Sequence, residues 1–242
     1  MKILILNGSP KGEAGNTIKL TRAFVEGLQS KTEAEIETVG IYKLDISPCR
    51  GCFACWNKTP GICCIRDDMA ELLVKIREAD VVIWSFPLYY FSLPGQLKNM
   101  MDRQLPLVLP FMTEGSEGRE SGAHPSRYDM HGQRTVLIST CGFHTAAGNY
   151  DAVRDQFDLA CGAGKATDIF GGHIATAKQV HRAAKGSEIF GRFGRLVIRQ
   201  NDRLAAPQGQ TGHRIFIAHP ARQTQRIGHR RLAIGIGPIA RA

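Results

Sequence analysis

No apolar run in this chain approaches the roughly 20 residues that a membrane-spanning helix needs. The first one, Ile3-Leu4-Ile5-Leu6, is followed directly by Asn7-Gly8 and is too short for the core of a secretory leader. The expected location is therefore the cytoplasm, with no membrane partner. Two phosphate-binding fingerprints are also missing. There is no G-x-G-x-x-G, since Gly8, Gly12 and Gly15 are separated by three and then two residues, and Gly15 is followed by Asn16-Thr17 instead of the Lys-Ser/Thr of a triphosphate loop. Gly162-Ala163-Gly164-Lys165-Ala166-Thr167 imitates such a loop but lacks its first glycine and carries alanine where a hydroxyl must meet magnesium. Acidic residues nearly vanish from His173 onward, where 13 Lys and Arg face 2 Asp and Glu. The net charge of +9 thus belongs to the C-terminal segment, and residues 1–172 carry −2. The front of the chain gives no electrostatic reason to expect nucleic acid, and the basic segment has neither tandem aromatics nor a recognisable nucleic-acid motif.

What is present organises itself around the first 28 residues. A short apolar run is followed by a polar loop from Asn7 to Thr17. Leu20, Ala23, Phe24, Gly27 and Leu28 then recur at helical spacing. This order of buried strand, loop and amphipathic helix is half of a parallel βαβ unit. A second strand is expected near Ala34–Tyr42, then a helix opening at Asp67-Asp68. A third strand follows at Asp80–Phe86, and a helix starts near Pro94 with Ser92 as a candidate cap. A fourth strand spans Arg134–Thr140, a helix carries Tyr150, Val153, Phe157 and Ala160, and a short fifth strand lies at Ala166–Phe170. The aperiodic stretch Pro106–Gln133 reads as a lid, a partner contact or a mobile segment. Alternating strands and helices predict an α/β fold, a doubly wound, five-stranded parallel sheet, over residues 1–172.

In such sheets ligands sit at the carboxyl ends of the strands, near the point where strand order reverses. Three loops converge there. The first offers Ser9, Lys11, Asn16 and Thr17 at a helix N-terminus, which suits a phosphate monoester and equally describes a solvated turn. The second offers Tyr89, Tyr90 and Phe91, suited to a flat ring or to core and lid packing. The third, Thr140-Cys141-Gly142, is small enough to let a ring approach the backbone. A phosphate at one end and a flat heteroaromatic at the other describe FMN. His144, beside the third loop, reads as a surface histidine that is worth watching.

The opening Ile-Leu-Asn-Gly-Ser-Pro-Lys with Gly15-Asn16-Thr17 resembles the flavodoxin-like NAD(P)H-dependent FMN reductases. So does Ser-Phe-Pro-Leu-Tyr-Tyr-Phe-Ser-Leu-Pro-Gly-Gln-Leu-Lys-Asn with Met101-Asp102-Arg103, and the branch that includes iron–sulfur flavoproteins is the nearest. The resemblance covers roughly residues 1–170. It implies that Ser9, Lys11, Asn16 and Thr17 bind the FMN phosphate. Pro87, Leu88, Tyr89 and Tyr90 would line the isoalloxazine, with Thr140, Cys141 and Gly142 on its other edge. It further implies a homodimer or homotetramer and hydride transfer from NAD(P)H through FMN to a small acceptor or a redox protein. No acid–base residue is assigned.

The seven cysteines are an odd number, and five lie between Cys49 and Cys64. In a chain expected to be cytoplasmic, such a cluster points to metal or redox chemistry before structural disulfides. Cys49, Cys52 and Cys55 can wrap one compact centre, and Cys63 can complete it, with Cys64 as an alternative fourth ligand. This spacing resembles the motif of iron–sulfur flavoproteins, which hold a [4Fe–4S] cluster beside FMN. Zinc and a set of reduced thiols remain as alternatives.

From His173 the periodicity is lost, apart from short apolar runs such as Leu196-Val197-Ile198, and no closing amphipathic helix is evident. Residues 173–242 read as a basic extension for an anionic partner, as a disordered tail, or as translation out of frame, the last being favoured.

Overall fold

The structure, a computed structural model, describes residues 1–113, 122–130, 132–143, 146–162, 166–171 and 196–198. Six parallel strands form one sheet: β1 (Lys2–Asn7), β2 (Glu35–Gly40), β3 (Val81–Pro87), β4 (Arg134–Thr140), β5 (Ala166–Gly171) and β6 (Leu196–Ile198). Their order is β2-β1-β3-β4-β5-β6, so the chain steps outward from β1 to β2 and then returns to the other side of β1. The five expected strands are all present, and β6 adds the Leu196-Val197-Ile198 run beside β5. Otherwise residues 172–242 lie outside the described residues, as do the readings made of them and the boundary at residue 173.

The pleat divides the apolar strands between two cores. Ile3, Ile5, Val81, Ile83, Val136 and Ile138 point to one face, where α1 (Asn16–Gln29) supplies Ile18, Leu20, Phe24 and Leu28. Leu4, Leu6, Val82, Trp84, Phe86 and Leu137 point to the other. That face is covered by α3 (Met69–Glu78), α4 (Gly95–Asp102) and α5 (Asp151–Cys161), which follow the four-residue helix α2 (Ala54–Asn57). The central strands are mostly apolar because helices cover them on both sides, with Asn7, Ser85 and Ser139 as buried polar exceptions near their carboxyl ends. Among the described residues α1 is the one helix packed on the first face.

Ser92 does not cap α4. Its backbone N–H and C=O instead close a tight turn with Tyr89 (2.9 and 3.1 Å), and Pro94 occupies the N-cap position. Within Pro106–Gln133 the described residues form a narrow antiparallel arm, bridged at Val108 with Ser126 and at Thr113 with Ala123. Trp56 fastens the base of this arm, its indole N–H donating to the carbonyls of Leu105 and Val108 (both 3.1 Å).

Phe157 on α5 is buried and meets Trp84 of β3 edge-on at 5.1 Å. Phe157→Ala should lower stability by about 3–5 kcal/mol through lost burial and a residual cavity. Urea unfolding followed by intrinsic fluorescence checks this.

Candidate functional site

Thr140, the last residue of β4, ties the three loops together. Its carbonyl accepts the Leu88 N–H of the second loop at 2.8 Å. Its hydroxyl is 2.6 Å from that of Thr17, in the first turn of α1. The next turn of α1 is pinned to β3, where Thr21 and Ser85 share a hydroxyl–hydroxyl bond of 2.7 Å. Gly8 N–H adds a bond to the Ser85 carbonyl at 2.8 Å. Parallel registry sets these ends level, since Asn7 lies beside Ser85 and Pro87 beside Thr140.

The first loop folds around Ser9, which is buried. Its N–H donates to Asn7 Oδ1 (3.1 Å) and its Oγ accepts the Lys11 N–H (3.3 Å). A short 3-10 turn at Gly12–Ala14 leads to Gly15, the N-cap of α1. No side chain caps this 14-residue helix and its first turn holds no acidic residue. A Cβ on Gly15 would come within 2.7 Å of Ser9 Oγ. The glycine therefore keeps Ser9 and the open helix end in contact. Lys11 and Asn16 are exposed at this rim. Thr17 is buried with its hydroxyl turned inward to Thr140, which leaves its backbone N–H for an external anion.

The second loop carries strain. Tyr90 (φ 49°) and Phe91 (φ 61°) both occupy the left-handed region at the centre of the Tyr89–Ser92 turn, where bulky side chains are rare. Tyr90 is 98% exposed, and Tyr89 and Phe91 are about half exposed. Pro87 and Leu88 lie partly buried beneath them. From the third loop Phe143 stacks on Phe91 at 5.5 Å and 18°. Cys141 is buried with its thiol donating to the Phe143 carbonyl (3.9 Å), and Gly142 faces open space. Burial, followed by the neighbouring Cys141 thiol, pushes the Tyr150 phenol well above its ordinary pKa, so it stays protonated. The sequence reading missed Phe143, whose signal was only its position after β4. His144 lies outside the described residues.

The cysteine loop is the stretch from Cys49 to Cys64. None of the seven cysteines is in a disulfide. Cys55 is buried at the start of α2, while Cys52 and Cys64 are exposed with their sulfurs 3.5 Å apart. Burial pushes the Cys55 thiol up, and the proximity of Cys63, Cys49 and Cys52 adds to this. A backbone N–H bond from Ala54 and the Cys64 thiol lower Cys52, and the same contact raises Cys64. Among the described residues no three His, Cys, Asp or Glu side chains are gathered as around a single ion. A four-iron cubane spreads its thiolates more widely than a single ion does.

Both ends of this loop are held by one buried ion pair. Arg103, just after α4, binds both oxygens of Asp67 (2.7 and 2.9 Å), and both side chains are at most 2% exposed. Arg103 also donates to the carbonyls of Ser47 (2.7 Å) and Ile65 (3.5 Å). Asp67 further accepts the N–H groups of Ser47 (3.0 Å) and Met69 (3.2 Å). Sequence reading took Asp67 only as an acidic helix opener, because its partner is 36 residues away. Burial opposes the Asp67 carboxylate, but Arg103 and the two backbone donors outweigh it and hold its pKa below the usual value. With the folded pKa depressed, the pair stabilises fully above about pH 4, the unfolded pKa of Asp, and loses this as pH falls through the folded value. Asp67→Asn should cost about 3–5 kcal/mol at neutral pH, since it strands a buried cation. In urea unfolding this deficit should narrow steadily below about pH 4.

The family profile of the flavodoxin-like fold matches residues 1–166. An iron–sulfur flavoprotein of Methanocaldococcus jannaschii is 37% identical over 139 residues, covering 57% of this chain and 68% of that protein. Further iron–sulfur flavoproteins, from Archaeoglobus fulgidus and Methanosarcina thermophila, match over about half of their own length (46–54%). An FMN-dependent NADH:quinone oxidoreductase of Pseudoalteromonas atlantica is 28% identical over 128 residues, covering 50% of this chain and 63% of that protein. Among solved structures, an NAD(P)H:quinone oxidoreductase from Methanothermobacter marburgensis superposes with a TM-score of 0.57 at 18% identity, covering 76% of this chain and 96% of the other, a likeness of fold.

Proposed function

The chain belongs to the flavodoxin-like fold family, and from that premise we propose that it is an FMN-dependent oxidoreductase taking electrons from NAD(P)H to a small acceptor such as a flavin or quinone. The observation that carries this reading is the junction at Thr140, which brings an uncapped helix end and an exposed aromatic wall to one edge of the sheet. The residues suit the cofactor. The open N–H groups at the start of α1, with Ser9, Lys11 and Asn16 around them, match a phosphate dianion in charge and hydrogen bonding. Thr17 would contribute its amide. Pro87, Leu88, Tyr89 and Tyr90 would line one side of the ring system, and Thr140, Cys141 and Gly142 its edge.

When bound, FMN accepts a hydride from a nicotinamide and releases electrons in pairs or singly. The chain's own contribution is placement. Backbone and hydroxyl donors fix the anionic end, and the aromatic side chains of the second and third loops restrict water at the other. The protonated Tyr150 phenol packs beneath the third loop and adds no charge there. We place this activity in the cytoplasm, in a homodimer or homotetramer whose subunit contact covers the exposed aromatics.

A second reading is favoured by the five clustered cysteines. In it the chain is an electron carrier, and Cys49, Cys52, Cys55 and Cys63 hold a [4Fe–4S] cluster beside FMN. Four soft thiolates from one loop suit that centre in donor chemistry.

The visible spectrum of the full chain purified without oxygen tests both readings. Flavin bands that bleach with NADH or NADPH are expected. A broad brown shoulder that bleaches with dithionite accompanies them if the second reading holds. A folded but colourless protein that takes up no added FMN contradicts both. Gly15→Val, which thrusts a side chain against Ser9 Oγ, should weaken FMN binding at least tenfold, about 1.4 kcal/mol. Fluorescence titration of the flavin-free protein checks this.

A further inference from the structure

We propose that Arg103 is the positioning residue of the cysteine loop, selecting Cys63 over Cys64 as the fourth ligand of its metal centre and holding a positive charge against that sulfur. The inference rests on the reading of the loop as a cluster site. It starts from an imbalance in the Arg103 hydrogen bonds. The two terminal guanidinium nitrogens are taken up by Asp67, Ser47 and Ile65. Nε is buried and has no partner. A buried guanidinium nitrogen left unpaired is costly unless a further acceptor arrives. Of the clustered cysteines, Cys63 is the one whose side chain acts on this guanidinium, by charge and hydrogen bonding.

A thiol is a weak acceptor, whereas a metal-bound thiolate is an anion and a good one. The guanidinium is therefore shaped for the metal-bound state of Cys63. Cys64 has a different environment. It is exposed, and its sulfur is paired with that of Cys52. Asp67 fixes the Arg103 fork, and the same fork holds Ser47 and Ile65, which bracket the cysteines. Hydrogen bonds and charges beside the sulfurs of an iron–sulfur centre set its potential, so Arg103 favours the reduced, more negative state.

The test uses the full-length chain, reconstituted anaerobically with iron and sulfide, and compares the wild type with Cys63→Ser, Cys64→Ser, Arg103→Lys and Arg103→Met. The readouts are iron and sulfide per chain, the electron paramagnetic resonance spectrum after dithionite reduction, and the midpoint potential. Flavin content and the unfolding midpoint serve as controls for folding. Cys64→Ser should load like the wild type, and Cys63→Ser should lose most of its iron. Arg103→Lys keeps a cation near Asp67 but lacks the Nε donor. It should retain flavin while its iron content falls several-fold and its resonance spectrum changes. In any Arg103→Met protein that folds, the one-electron potential should drop by about tenfold in equilibrium constant, about 59 mV. A wild-type chain that takes up no iron overturns the cluster reading and this proposal with it. A wild type that loads normally overturns the proposal alone if Arg103→Lys matches it in iron, spectrum and potential, or if iron depends on Cys64 and not on Cys63.

Discussion

Thr140 is where the architecture becomes a site. A parallel sheet brings the carboxyl ends of its strands to one edge, but it does not say how the loops beyond them are to be arranged. Here one threonine settles that arrangement, with its hydroxyl to Thr17 at the start of α1 and its carbonyl to Leu88 beyond β3. This partly buried pair of hydroxyls opposes drift of either loop, since parting them strands the buried Thr17 hydroxyl, at a cost of about 1–3 kcal/mol. The open helix end and the aromatic wall are therefore held at a fixed separation before any ligand arrives.

The second anchor is the buried Arg103–Asp67 pair. α4 begins after the aromatic turn and ends at Arg103, so one helix connects the aromatic loop to the cysteine loop. Trp56, next to Cys55, stacks on Phe53, meets His124 of the antiparallel arm at a tilt of 45°, and bonds to the Leu105 carbonyl. The two candidate redox centres thus share a frame whose rigid members are β3, β4 and α4. Such a frame suits transfer between two groups, which requires a constant separation.

The sequence made the fold legible because its signals are local and agree with one another. Ile3–Leu6 and Val81–Trp84 are apolar throughout, as strands covered on both sides must be, and α1 keeps its helical stripe. The loops disclosed their residue types but not their geometry. Thr17 read as a phosphate-facing hydroxyl, whereas that hydroxyl turns to a partner 123 residues away. The Tyr90-Phe91 turn escaped notice because left-handed backbone is ordinarily announced by Gly, Asn or Asp. Ser92 looked like a cap by type and position, but that turn had already claimed its backbone. The Arg103–Asp67 pair was invisible for the same reason as Thr140: both are contacts between distant segments, and periodicity carries no information about them.

The proposed FMN site depends on the Thr140 hydroxyl that ties Thr17 to the end of β4. The most direct measurement is the affinity of the flavin-free Thr140→Val chain for FMN, by calorimetric titration beside the wild type, since valine keeps the shape and removes the hydroxyl. The account predicts at least a tenfold weaker Kd, about 1.4 kcal/mol, with the fold retained. Wild-type affinity in that variant would contradict it.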